Sequence, residues 1–164
     1  MRGALAPPVA FAHVCGMQGI AALTGLFFSA LLAASPVPLQ SEVVFVGLQL
    51  AGGFDLWLLL LVAGAGNTLG SFITYGLGRG ARHWRDRRWF PASAAQMARA
   101  EAWFRRWGVW VLLASWAPGG DLVTLVAGVL RTPIWVFALL VTVAKTGRYA
   151  VLGWLTARAM GLPG

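Results

Sequence analysis

The 164 residues are 59% hydrophobic and 11% charged, with a mean hydropathy of +0.72, a composition too apolar for a soluble domain in a chain too short for two domains. The formal net charge of +8 would suggest nucleic acid in a soluble protein, but most of it lies in one segment between apolar stretches, where arginines set topology and meet anionic headgroups. One cysteine, Cys15, and two distant histidines, His13 and His83, provide neither an intramolecular disulfide nor a metal signature, and no cofactor is expected.

Residues 1–18 are a weakly polar lead-in. Gly19 to Ala34 is rich in small residues, which favours a closely packed helix. Pro36 and Pro38 donate no backbone hydrogen bond and push the preceding residues out of helical geometry, so this helix must end near Ser35. From Glu42 to Ala51 about ten residues remain before Gly52-Gly53, or ~15 Å, half of a ~30 Å hydrocarbon core. A half-helix cannot span, so the economical arrangement is a re-entrant hairpin whose broken tip is buried in protein or water, with Glu42 at the tip. A cleaved signal peptide is not expected, because its removal would delete half of this hairpin. Phe54 to Leu77 is long enough to span. Its Gly64, Gly66, Gly70 and Gly76 allow close approach, and Asn67, Thr68, Ser71 and Thr74 suit a bundle interior. Asn67 serves equally well as an interhelical hydrogen-bond donor or as part of a substrate path.

Eight arginines fall between Arg79 and Arg106 against only Asp86 and Glu101, which makes this segment cytoplasmic. Inside it, Ser93-Ala94-Ala95-Gln96 reads as a capping box and predicts a helix from about Ala94 to Trp107, stopped by Gly108. Met97, Ala100, Phe104 and Trp107 share one face of that helix, which should lie in the membrane interface. Arg79, Arg105 and Arg106 are the candidate headgroup contacts. The plainer alternative is a topology determinant that also anchors the protein. Ala117-Pro118-Gly119-Gly120 is a second break, and Asp121 follows it as Glu42 follows the first. Leu122 to Leu130 is again too short to span. Ile134 to Thr156 is a full apolar helix interrupted by Lys145 and Arg148.

Asp121 lies 79 residues after Glu42, and Trp135, Lys145 and Thr146 each lie 78 after Trp57, Asn67 and Thr68. This is a repeat signal. With one span between the first hairpin and the cytoplasmic segment, the hairpins enter from opposite sides, so the repeats are inverted. The expected fold is an all-α integral membrane protein in one membrane domain, residues 1–164. It comprises repeat 1 at about 19–78, a basic amphipathic cytoplasmic segment at 79–106 and repeat 2 at about 107–157, each repeat a re-entrant helical hairpin plus a transmembrane helix. Inverted repeats with broken helices meeting at mid-membrane are a transporter architecture with the site at the tips, here Pro36, Pro38, Pro118, Gly119 and Gly120. The tips bring Glu42 and Asp121 towards one another, and Lys145 and Arg148 offer counter-charge from the last helix. Ionisable groups at that depth are expensive and point to function; two acid–base pairs that only pin the bundle are the alternative.

Pro38 with Glu42, Gly66-Asn67-Thr68-Leu69-Gly70 to Tyr75 to Gly78-Arg79, Trp103-Phe104-Arg105-Arg106-Trp107-Gly108, Ser115-Trp116-Ala117-Pro118 to Asp121, and Val126-Ala127-Gly128 form an ordered set. It resembles the DedA/VTT-domain superfamily (the SNARE-associated Golgi protein type), and within it the YqaA-like bacterial branch, over about Leu23 to Leu155. The resemblance implies a multi-pass protein of the bacterial inner membrane with two facing hairpins. It also implies movement of a phosphorylated lipid between leaflets, sometimes linked to protons. Carrier-type members have arginines flanking the second-break proline, where this chain has Ser115 and Asp121, and a second acid about a dozen residues after the first, for which Asp55 is the nearest candidate.

The expected function is therefore a lipid flippase, scramblase or related carrier of a phosphorylated lipid or small anionic substrate. The site would comprise Glu42, Asp121, Asn67, Lys145, Arg148 and Asp55. The alternative is a non-transporting membrane protein that supports envelope integrity by binding lipids or partners. Expected partners are membrane lipids and their anionic headgroups, with protons or another coupling ion and a homo-oligomer left open, and no nucleic acid. Enzymatic activity is not expected, since no serine or cysteine forms a recognisable nucleophile–histidine motif and no paired-histidine motif exists.

Overall fold

The structure, a computed structural model, describes residues 16–34, 40–80, 93–117 and 120–161. Every secondary-structure element among the described residues is a helix, without strands. In chain order they form α1 (Met17–Ala33), α2 (Ser41–Ala51), α3 (Leu56–Gly80), α4 (Ala94–Trp107), a 3₁₀ helix (Gly108–Trp116), α5 (Asp121–Val129) and α6 (Ile134–Met160). Only α3 and α6 are both long and apolar enough to cross a membrane. The half-helices have 11 residues in α2 and 9 in α5, ~17 Å and ~14 Å at 1.5 Å per residue. Of the expected hairpin tips, Pro36, Pro38, Pro118 and Gly119 lie outside the described residues. Gly120 is buried, turned back by its N–H donating to the Ala117 carbonyl at 2.8 Å.

Helix α3 is the central element, and its glycines are where its neighbours approach. A Cβ on Gly66 or Gly70 would run into the backbone carbonyls of Phe27 and Leu31 on α1. Towards the other end of α3, a Cβ on Gly78 would meet the Leu125 carbonyl of α5, and one on Gly128 of α5 would meet the Tyr75 carbonyl. Contacts this close are possible only without side chains. Helix α6 lies antiparallel to α3: Phe72 packs edge-on to Phe137, Gly64 abuts Thr146, and Gly153 abuts Leu56. Two apolar clusters result. One joins Tyr75, α4, the 3₁₀ helix, α5 and Phe137; the other joins α1, Phe45 of α2, the first half of α3 and Tyr149.

Helix α4 begins with the expected capping box, in which the Gln96 N–H donates to Ser93 Oγ and the Ser93 N–H to Gln96 Oε1. Met97, Ala100 and Phe104 are buried, whereas Trp107 is 61% exposed. That departs from the single face predicted for all four. Gly108 takes φ +60, a left-handed turn open to glycine, and redirects the chain into the 3₁₀ helix, so Trp107 follows the geometry of the next element.

Two glycines two residues apart, on different faces of α3, should respond with opposite signs to the same added methyl. Gly76 has open space where a Cβ would go, so Gly76→Ala should be neutral or stabilise by up to ~1 kcal/mol through helix propensity. Gly78→Ala should destabilise by ~1–3 kcal/mol as α3 is forced off α5. Thermal unfolding of the detergent-purified variants checks both.

A candidate anion site on the middle of α6

Glu42 and Asp121 each occupy the first turn of a half-helix, α2 and α5 respectively. A carboxylate there is favoured by the unpaired N–H groups and the positive end of the helix dipole. Each also meets a cation, and both cations come from α6. Lys145 Nζ donates to Asp121 Oδ1 at 2.7 Å, and the Arg148 guanidinium pairs with Glu42. Lys145 and Arg148 are three residues apart, so one face of α6 presents both. They lie ~17 Å and ~21 Å from the start of this ~40 Å helix, near the middle of the span.

The two pairs differ in access. Lys145 is 2% exposed and Asp121 26%, whereas Arg148 and Glu42 are 30% and 24% exposed. The first pair is therefore closed on its cationic side. The second is open on both.

Beside the second pair runs a chain of neutral groups. Asn67 Nδ2 donates to the Tyr149 hydroxyl at 3.0 Å, and that oxygen lies 2.6 Å from Ser41 Oγ. Asn67, Tyr149 and Ser41 are all buried, so α3, α6 and the start of α2 are tied beside Glu42. Asn67 thus supplies the interhelical hydrogen bond anticipated for it, while its Oδ1 has no hydrogen-bond partner among the described residues. Ser115 Oγ is likewise buried without one among them, an uncommon condition in a folded protein. Ser115 is close to the second break, where its carbonyl blocks any side chain at Gly120.

Asp55 does not join this group. It is exposed, and its carbonyl accepts from the Leu59 N–H at the start of α3. The 11-residue α2 separates it from Glu42. Arg105 and Arg106 are exposed in the last turn of α4. Arg79 is exposed too, but Nη1 donates to the Tyr75 hydroxyl at 3.0 Å, which donates to the Thr132 carbonyl at 2.6 Å. Arg79 therefore ties the end of α3 to the α5–α6 joint. Ser41 and Tyr149 were not anticipated from the sequence. The available signal was their position beside Glu42 and Arg148 in a chain with only two tyrosines.

A family model described as the VTT domain matches residues 9–157. The chain belongs to the VTT-domain family. Among its VTT-domain relatives, the inner membrane protein YqaA of Escherichia coli is 34% identical over 145 residues, covering 88% of this chain and 97% of the relative. The YqaA of Shigella flexneri matches to the same extent. An uncharacterized protein of Haemophilus influenzae is 36% identical over 143 residues, 80% of this chain and 85% of its own length. No solved structure matches the chain. The YqaA-like branch anticipated from the motifs is thus where this VTT-domain protein falls.

Burial ranks the two ion pairs. Asp121→Asn leaves the buried Lys145 ammonium without its counter-charge and should cost ~3–5 kcal/mol, with much of the loss restored by adding Lys145→Met. Glu42→Gln should cost on the order of 1 kcal/mol, because its partner keeps access to water. Unfolding midpoints of the two single variants and the Asp121/Lys145 double variant check the ranking.

Proposed function

We propose that this VTT-domain protein moves a phosphorylated lipid between the leaflets of the inner membrane, and that the Glu42–Arg148 pair is the exchangeable anion site. The observation that carries this is the pair itself: an arginine at mid-span depth, open to its surroundings and held by a carboxylate at a broken helix start. Arginine suits phosphate as well as carboxylate, because its planar fork engages both. An incoming phosphate displaces Glu42 from Arg148 and takes the carboxylate's place as its counter-charge. Lys145–Asp121 is the fixed counterpart that holds α5 against α6. The cations that carrier-type members place beside the second break are supplied here from α6.

The proposed architecture is an inverted repeat of two re-entrant hairpins. Two correspondences support it. Gly128 abuts the Tyr75 carbonyl, while Gln49, 79 residues before Gly128, donates to the carbonyl of Gly153, 78 residues after Tyr75, at 2.9 Å. Each half-helix thus approaches the full helix of the other repeat at an equivalent point. Both full helices also begin beside an exposed tryptophan, Trp57 or Trp135, as interfacial anchors do. In this arrangement residues 79–106 face the cytoplasm; labelling an engineered Ser93→Cys by an impermeant reagent outside intact cells would overturn it.

Proteoliposomes containing the purified protein should exchange labelled phosphorylated lipids between leaflets. Glu42→Gln should abolish exchange with little loss of folded protein. Absence of exchange across several phosphorylated lipids by folded protein favours the alternative, a non-transporting role in envelope integrity through lipid or partner binding.

A further inference from the structure

The 3₁₀ helix runs for nine residues, Gly108–Trp116, where three or four is the usual limit. With three residues per turn, side chains three apart lie directly above one another. Burial follows this period: Leu112 and Ser115 are buried on one column. Trp110, Leu113 and Trp116 form another, 66%, 37% and 55% exposed, and Trp107, 61% exposed, adjoins its start across the Gly108 turn. In an α-helix positions three apart would drift by about 60° per step. The 3₁₀ geometry is what aligns them.

Together with Trp103 and Trp107 of α4, this column walls a groove of about 470 Å³ that is otherwise lined by Val111 and Ala114, within the ~300–1,000 Å³ of small-molecule sites. At its α4 end the Arg106 guanidinium lies 5.7 Å from the centre of the Trp107 ring, in cation–π range, and Arg106 makes no ion pair among the described residues. Arg105 is beside it in the same exposed turn. An interfacial aromatic belt sits at one depth. The Trp110–Trp116 column alone extends ~12 Å along its axis at ~2.0 Å per residue, towards the second break.

We propose that the groove is a docking site for one anionic phospholipid, with its phosphate at Arg105 and Arg106 and an acyl chain along Trp107 and the Trp110–Leu113–Trp116 column. The occupant follows from the order of chemistry: exposed cations at one end, then an extended apolar slot. The site is separate from the Glu42–Arg148 pair and does not depend on transport.

The test uses the whole protein in phosphatidylcholine nanodiscs doped with phosphatidylglycerol or phosphatidylcholine carrying brominated acyl chains, which quench tryptophan on contact. Brominated phosphatidylglycerol should quench saturably at low mole fraction, several-fold more than brominated phosphatidylcholine. The preference should vanish in the Arg105→Gln, Arg106→Gln double variant. Replacing Trp103, Trp107, Trp110 and Trp116 with Phe should remove the saturable component; if that variant does not fold, Trp110→Phe with Trp116→Phe should reduce it. Equal quenching by both lipids, rising linearly with mole fraction, would mean ordinary boundary lipid and overturn the proposal. So would a preference that survives the arginine substitutions, or column tryptophans that no lipid quenches because a second copy of the chain covers them.

Discussion

Two carboxylates at the starts of helices too short to cross a membrane must be neutralised, and the rest of the architecture depends on α6 doing so twice. Isolated charges at that depth are expensive. Lys145 and Arg148, one helical step apart, anchor α5 and α2 respectively to one face of α6. The unequal burial of the pairs gives the molecule one ionic contact closed on its cationic side and one partly open on both.

Backbone proximity complements this electrostatic frame. Without a hydrophobic driving force between helices inside lipid, packing and polar contacts must hold the bundle together. Gly66 and Gly70 let α1 against α3, and Gly78 with Gly128 lets α5 against it. Hydroxyls then satisfy carbonyls that helix ends leave open: Thr74 donates to the Ala34 carbonyl at 3.0 Å and Tyr75 to that of Thr132. The half-helices are thus held by contacts that tolerate little displacement on the α5 side, while α2 keeps a more open flank around Glu42.

Much of this was legible along the chain. The ends of α2, α4 and α5 fell within a residue of expectation because a capping box, a glycine stop and a carboxylate-led start are local events. Glu42, Asp121, Lys145 and Arg148 were legible as ionisable residues in apolar surroundings. Which acid meets which base was not, since Lys145 and Arg148 are equally placed in sequence and only the approach of α2 and α5 separates them. The family resemblance offered Asp55 as a second acid of the site, yet it ends up exposed beyond the far end of α2.

The sequence by itself determined where helices break, which segments are too short to span and which residues carry charge into apolar surroundings, because prolines, glycines and caps act within a few residues. Tertiary structure decided the partners and the exposure. Asn67, Tyr149 and Ser41 become one hydrogen-bonded chain only when three helices converge. Trp107 leaves the buried face of α4 because Gly108 redirects the backbone, and a period-three row of tryptophans becomes a column only once the chain adopts a 3₁₀ helix. Such outcomes depend on contacts between segments far apart in sequence and on a choice between helical forms that local propensity leaves undecided.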